Sequence, residues 1–291
     1  MKLDNRRPLL AFAAGAMVVS FTAPIVRLLS VGPSVTAFWR MVFGGAILAL
    51  LVLAQGRRFA LDRRSLFFAV LAGLTFACDL SLWHRSIRLV GPGLATILVG
   101  LQVFFMSAAG LVTRREKLTW RLALAVPLAV LGLFLIVGVD WRAGAAGYRW
   151  GVAAGVASAL CYTGYLLALR RLQRGADLPA RMANIAVVSA ACAAFLAAIG
   201  AALGESFAIP DLASLGLLVL LGVIGQVLAW VLMSGGLPRM RHSLVGLVLL
   251  LQPLLAAVWD VLFFRRPTTP LEAAGAAATL AAIYLGTTAA D

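Results

Sequence analysis

Apolar residues occupy ten long stretches of this chain, separated by short connectors rich in glycine, proline and charged residues. A helix needs about 20 apolar residues to cross the hydrocarbon core of a bilayer, and each stretch comes close to that length. The pattern therefore predicts ten transmembrane helices. The predicted spans are residues 9–29, 33–54, 66–86, 91–112, 121–139, 149–169, 180–203, 213–235, 243–264 and 270–287.

The second half of the chain resembles the first half. Leu101-Gln102, for example, aligns with Leu251-Gln252 when the chain is shifted along itself. Each half holds five predicted spans, and five is odd, so two related halves must cross the bilayer in opposite directions. The sequence thus predicts an all-α integral membrane protein built from two inverted five-helix repeats. The predicted repeats are residues 1–142 and 143–291.

Composition supports a protein that lies almost wholly within the bilayer. Hydrophobic residues make up 63% of the chain and charged residues 12%, whereas soluble domains average roughly 45–50% and 25%. Ten spans leave no room for a separate catalytic or binding domain. The lipid bilayer is therefore the expected partner, with no obligate protein partner, and we expect a monomer.

The formal charge of +14 is concentrated in alternate connectors. When successive spans alternate in direction, 17 of the 25 Lys and Arg residues fall on one side of the membrane and eight on the other. Cytoplasmic loops carry an excess of these residues, so both termini are predicted to be cytoplasmic. The same distribution explains the basic charge without nucleic acid as a partner.

Polar and aromatic side chains within the spans predict an internal path. Polar groups are costly in hydrocarbon, so they are expected to face the interior of the helix bundle. Helical spacing places Asp79 and Trp83 in one stripe along a helix face, and Gln226 and Trp230 in another. The candidates for substrate contact are Phe21, Thr22, Asp79, Trp83, Gln102, Tyr162, Tyr165, Gln226, Trp230 and Gln252.

These candidates each have a structural alternative. Trp83 and Trp230 suit either a substrate site or the interfacial aromatic belt, and Trp259, near a span end, is expected in that belt. Gln102 and Gln252 suit either substrate hydrogen bonds or contacts between helices.

Three residues are candidates for ion coupling or gating. Asp79 is the acid placed well inside a span, where a carboxylate that gains and loses a proton is suited to proton coupling. Its alternative role is structural: a local pair with His84 or Arg85, or a hydrogen bond between helices. Arg40 lies about 10 Å from the outer end of its span, at 1.5 Å per residue, and suits a gate or a structural pair. His84 is the third coupling or gate candidate.

No cofactor or metal site is predicted. The three cysteines, Cys78, Cys161 and Cys192, lie within spans without paired spacing and are expected to be free thiols. The two histidines are outside any HExxH motif, and no GxSxG motif is present. The sequence therefore favours transport over an intramembrane enzyme, which is kept as an alternative, as is a passive channel.

The ends of both halves resemble one family. Glu116-Lys117-Leu118-Thr119, after the helix of Gln102, resembles the closing segment of a repeat of the EamA family, part of the drug/metabolite transporter superfamily. The second half repeats this pattern after Gln252. It departs from the family at Arg266, where glutamate is usual, and the first half departs at Val103, where the second half has proline.

Within that superfamily the chain most resembles YddG-type amino-acid exporters of the bacterial inner membrane. The resemblance implies export of neutral and aromatic amino acids and related small metabolites by alternating access, with no enzymatic activity. The runner-up is a multidrug or cationic-metabolite exporter of the same superfamily.

The topology is testable by cysteine labelling. Single cysteines at Gly56 and at Glu205 are expected to react with impermeant reagents from opposite sides of the membrane, because their connectors are separated by an odd number of spans. Labelling of spheroplasts and of inverted vesicles shows which side of the membrane each cysteine faces. Labelling of both positions from the same side would contradict the topology.

Overall fold

The computed structural model describes residues 6–59, 61–114, 116–137, 147–265 and 269–288. Within those ranges every regular element is a helix and no β-strand occurs. The predicted repeat boundary at residues 142 and 143, and Arg266, lie outside them. The helices are α1 (Arg6–Ser20), α2 (Thr22–Leu28), α3 (Pro33–Ala54), α4 (Arg63–Gly100), α5 (Gln102–Val112), α6 (Trp120–Val137), α7 (Tyr148–Leu172), α8 (Leu178–Ala202), α9 (Leu212–Gly222), α10 (Ala229–Gly236), α11 (His242–Leu249), α12 (Leu251–Phe264) and α13 (Pro270–Thr288), with a π-helical segment (Val223–Leu228) between α9 and α10.

Seven helical stretches are long and apolar enough to cross a membrane. Three shorter apolar helices, Leu98–Val112, Trp120–Leu135 and Pro270–Gly286, correspond to the fourth, fifth and tenth predicted spans. Large apolar side chains such as Phe67 are exposed on the outer surface, as expected for contact with lipid. The prediction of an all-helical, multi-pass membrane protein is confirmed. The seven stretches are Arg7–Val26, Pro33–Ala54, Arg63–Val90, Tyr148–Leu172, Leu178–Ala202, Leu212–Gly236 and His242–Phe263.

The predicted connector after residue 86 is wrong, because α4 continues as a helix to Gly100. Helix α4 is not straight, however. In a straight helix Ser86 and Leu98, twelve residues apart, would be separated by about 18 Å. Here the Ser86 Oγ and the Leu98 Cβ both lie within 3 Å of the position that a Cβ on Gly155 would take, so α4 bends between them. The sequence between them contains Pro92, which lacks the N–H that an unbent helix requires. The bend places both parts of α4 against α7.

Helices of the first half pack mainly against helices of the second half. The main pairs are α4 with α7, α6 with α13, α3 with α8, α1 with α10 and α5 with α11. Glycine permits the close approaches: a Cβ on Gly132 in α6 would lie 2.7 Å from the Gly275 carbonyl oxygen in α13. A separate apolar cluster joins α6 and α13, so this pair flanks the main core.

Contacts between connectors place them on two faces. On one face Arg57 pairs with Asp177 at 3.7 Å, and Glu116 pairs with His242 at 3.3 Å. On the other, the Ser34 hydroxyl donates to Glu205 Oε1 at 2.7 Å. Each contact joins connectors that the alternating spans assign to the same side.

Glu116 caps the first turn of α11 from the connector before α6. Its carboxylate accepts hydrogen bonds from the backbone N–H of His242 and from the N–H and hydroxyl of Ser243. A helix N-terminus has unpaired N–H donors and a positive dipole end, so a carboxylate there is stabilising. Burial acts to raise the pKa of Glu116, but the hydrogen bonds from His242 and Ser243 hold it below its ordinary value.

We expect Glu116→Gln to lower stability by about 1–2 kcal/mol, the usual effect of losing a helix cap. Because the folded-state pKa of Glu116 is depressed, its contribution is present above the ordinary pKa and is lost as pH falls through the depressed value. Thermal melts in detergent at pH 7 and below pH 4 measure both effects. The gap between wild type and variant should narrow in acid. A gap of equal size at both pH values would contradict this role.

Candidate substrate cleft

Three of the predicted spans are interrupted within their length. The interruptions separate α1 from α2 at Phe21, α4 from α5 at Leu101 and α11 from α12 at Leu250. The apolar pattern predicts continuous spans at all three of these places and gives no sign of the breaks. Broken helices at membrane depth occur where backbone is buried in protein or lines a cavity.

Two of the interruptions have a proline nearby. In an α-helix each N–H donates to the carbonyl four residues earlier, and proline has no N–H. Pro24 therefore provides no helical donor for the Ser20 carbonyl, and Pro253 provides none for the Leu249 carbonyl. Both carbonyls belong to residues at the interruptions.

All three interruptions lie around one cleft with about 630 Å³ of empty space. Its thirteen lining residues come from the first, third, fourth, sixth and ninth predicted spans, and none of the thirteen is charged. The lining residues are Val19, Ser20, Thr22, Trp83, Val99, Gly100, Gln102, Tyr162, Leu249, Leu250, Gln252, Pro253 and Ala256. We call this the central cleft.

Five of the ten substrate candidates line the central cleft: Thr22, Trp83, Gln102, Tyr162 and Gln252. The Gln102 Nε2 donates to the Gly246 carbonyl at 3.1 Å, while Tyr162 and Gln252 line the same cleft. The fourth span thus contacts the ninth beside the cleft. This contact holds the Gln102 amide in place.

The other aromatic candidates pack outside the cleft. Tyr165 stacks on Phe76 with ring centroids 4.2 Å apart, and Trp230 contacts Tyr165 edge-on at 4.9 Å. Trp230 is 2% exposed. Of the two tryptophans in the predicted stripes, Trp83 is therefore the one that lines the cleft. Phe76, which the helical stripes did not include, completes this aromatic core.

The remaining polar candidates make local contacts. The buried Asp79 accepts a hydrogen bond of 2.6 Å from the Ser158 hydroxyl in α7, which is a contact between helices and not the local pair with His84 or Arg85. Gln226 donates to the Ser189 hydroxyl at 2.8 Å. Arg40 donates to the carbonyl of Gly225 at 2.8 Å. None of these three candidates lines the central cleft.

The last two candidates lie beside cleft residues. His84 is buried next to Trp83, with ring centroids 5.2 Å apart. Phe21 stacks on Trp259 at 4.3 Å, and the Trp259 indole donates to the Ser20 hydroxyl at 2.7 Å. The expectation that Trp259 lies in the interfacial belt missed this contact, although it follows Gln252 by two helical turns and so shares its face.

A second cleft lies at the face that carries His242. It holds about 1120 Å³ of empty space and has a basic rim. Its lining residues are Phe68, Leu71, Ala109, Thr113, Gly164, Leu167, Ala168, Arg170, Arg171, Arg174 and His242. We call this the basic cleft.

A packed layer separates the two clefts. Along α5 the chain passes from Gln102 in the central cleft through buried Met106 to the basic cleft. Along α7 Tyr162 lines the central cleft and Gly164 lines the basic cleft, while the fully buried Tyr165 belongs to neither lining. Along α11 a Cβ on Gly246 would lie 3.1 Å from Met106 Cβ, so α5 and α11 are in close contact at this level.

The chain is thus a multi-pass helical membrane protein with clefts on both sides of a closed layer, an architecture suited to moving a solute. The EamA-like transporter family matches residues 6–138 and again residues 149–288. The protein belongs to this family, a family of membrane transporters of small molecules. Its two matches are consistent with the internal resemblance of the two halves.

One solved structure supports the fold. Described only as "Crystal structure of protein", it is 19% identical to this chain and has a TM-score of 0.79. The alignment covers 96% of this chain and 98% of that chain. No curated protein matches this chain. At this identity the solved structure establishes the fold and nothing about the substrate.

We expect Trp230→Ala to reduce stability by about 3 kcal/mol or more, because a fully buried ring is removed from a packed core. The matched control is Trp150→Ala, since Trp150 is 77% exposed. Thermal melts in detergent compare the two variants. If Trp230→Ala melts like the control, Trp230 is not part of a packed core.

Proposed function

We propose that this protein exports small neutral metabolites, chiefly neutral and aromatic amino acids, across a bacterial inner membrane by alternating access. Two clefts separated by a packed layer carry this proposal, because a solute reaches one cleft from each side in turn. The termini are cytoplasmic, which assigns the basic cleft to the cytoplasmic side. No covalent chemistry or cofactor takes part.

The contacts between helices support two inverted repeats of five spans, residues 1–142 and 143–291. If the halves are equivalent, α1 corresponds to α7, and α4 corresponds to the span that contains α10. When each helix is replaced by its equivalent in the other half, the α1–α10 contact becomes the α7–α4 contact. In the pairs α3–α8, α5–α11 and α6–α13 the two helices are equivalents of each other, so these contacts are unchanged. This pattern is expected of a two-fold axis in the membrane plane.

The lining of the central cleft favours a substrate without net charge. Binding an isolated cation in a low-dielectric site needs a carboxylate nearby, and none of the thirteen lining residues provides one. Trp83 and Tyr162 supply flat apolar surfaces for a side chain. Both points favour neutral amino acids over the cationic drugs of the runner-up function.

The same lining gives no support to an intramembrane enzyme. A hydrolase or transferase needs a nucleophile with a base, or a metal. The described lining holds no carboxylate, histidine or cysteine, and the described residues contain no cluster of metal ligands.

The decisive experiment for the function is counterflow in proteoliposomes. Vesicles loaded with unlabelled phenylalanine are expected to accumulate labelled phenylalanine. Trp83→Ala is expected to weaken apparent affinity for phenylalanine by roughly 2–13-fold, the loss of one contact between aromatic rings. Alanine should be less affected, because it makes no ring contact. Trp150→Ala is the control. Transport of cationic drugs without transport of any amino acid would favour the alternative function, a multidrug or cationic-metabolite exporter.

We also propose that Asp79 carries a coupling proton, since it is a buried carboxylate hydrogen-bonded to the neutral hydroxyl of Ser158. Asp79→Asn should then retain exchange but lose accumulation driven by a pH gradient, because an amide does not titrate. Exchange and gradient-driven uptake, measured in the same vesicles, separate the two activities. Unchanged gradient-driven uptake removes Asp79 from coupling, and equal loss of both with poor folding assigns it a structural role.

A further inference from the structure

The central cleft contains one side-chain acceptor without a partner and two backbone carbonyls whose usual helical donor, four residues on, is replaced by proline. Gln102 is 2% exposed, and its amide orientation is fixed because Nε2 donates to the Gly246 carbonyl, which can only accept. Its Oε1 is therefore an acceptor, and it is buried without a partner. The Ser20 and Leu249 carbonyls, which lack helical donors because of Pro24 and Pro253, belong to residues that line the same cleft.

The cleft also contains unused donors. The Trp83 indole Nε1 and the Gln252 Nε2 are both buried without a hydrogen-bond partner. An indole N–H can only donate, and the nitrogen of a side-chain amide is also a donor. An unpaired buried donor or acceptor costs about 1–3 kcal/mol, so these groups around one cleft indicate a ligand that pairs with them.

The number of these donors and acceptors indicates the chemistry of the ligand. An ammonium group has three donors, matching the oxygens of Gln102, Ser20 and Leu249. A carboxylate accepts several hydrogen bonds, matching the N–H groups of Trp83 and Gln252. Neutral dipoles and the half-charges of interrupted helices stabilise both ends of a zwitterion without an ionised side chain.

We propose that the ammonium group of the substrate binds to the oxygens of Gln102, Ser20 and Leu249, and that its carboxylate binds to the N–H groups of Trp83 and Gln252. The transported molecule is then recognised by its α-amino-acid end, and the side chain contacts the apolar lining. This inference rests on the proposed function and assigns its two polar subsites.

The test uses three compounds with one side chain. Phenylalanine has both charged groups, phenethylamine has only the ammonium and 3-phenylpropionate has only the carboxylate. Each competes against labelled phenylalanine in proteoliposomes that contain wild type or a variant. The readout is the ratio of the amine and acid inhibition constants, which a general loss of folding does not change.

Each variant has its own expected direction. Gln102→Leu should weaken phenethylamine roughly tenfold or more, the scale of a hydrogen bond to a charged group, and leave 3-phenylpropionate within about twofold. Gln252→Leu should do the opposite. Gln102→Glu keeps the acceptor and adds an acidic group, so it should strengthen the amine relative to the acid, although it loses the Nε2 contact with Gly246.

Gln55→Leu, at the exposed end of α3, is the matched control and should leave the ratio unchanged. If wild type transports phenylalanine but all variants change the three compounds in parallel, the subsites are wrong and Gln102 and Gln252 only join helices. A lower amine-to-acid preference in Gln102→Glu also overturns the assignment. A wild type that neither transports nor binds phenylalanine overturns the proposed function together with its subsites.

Discussion

Water is absent from the hydrocarbon core of a bilayer, so every backbone N–H and C=O there needs a partner within the protein. Continuous helices meet this need by themselves, and interrupted ones do not. In this structure the interruptions at Phe21, Leu101 and Leu250 all lie around the central cleft. Side chains supply some of the missing donors: Arg40 reaches the Gly225 carbonyl in the π-helical segment, and Gln102 reaches the Gly246 carbonyl. The residues at the three interruptions thus lie beside the space of the central cleft.

Close helix packing keeps the two clefts apart. In lipid there is no hydrophobic force between helices, so association relies on contact and on interhelical hydrogen bonds. Gly246 lets α11 meet α5 at Met106, and Met106 and the Tyr165 ring belong to the same buried core. A barrier built from apolar side chains and glycine contacts needs only small shifts between helices to open. This suits a transporter in which the halves move against each other around a central site.

The sequence predicts the number and order of apolar segments because the bilayer imposes a length on each of them. Five of its substrate candidates, Thr22, Trp83, Gln102, Tyr162 and Gln252, line the central cleft because a polar or aromatic side chain in a span tends to face inward. The sequence does not separate Trp83 from Trp230, since both lie in helical stripes and only the rotation of each helix against its neighbours decides which ring lines the cleft. The interruption at Leu101 has no nearby proline, as Val103 occupies the position of Pro253, so no local signal marks it.

The two halves differ at the cleft, and the difference affects how the cleft works. The span of α1 and α2 is interrupted at Phe21, whereas α7, which corresponds to it in the proposed repeats, continues unbroken from Tyr148 to Leu172. α7 supplies Tyr162 to the cleft and Ser158 to Asp79, so it joins the lining to the buried carboxylate through one rigid element. A shift of α7 that changes the cleft at Tyr162 therefore also moves the Ser158 hydroxyl, one helical turn away, relative to Asp79. For the proposed function, this geometry offers a route by which solute binding at Tyr162 changes the surroundings of Asp79, a carboxylate that does not itself line the cleft.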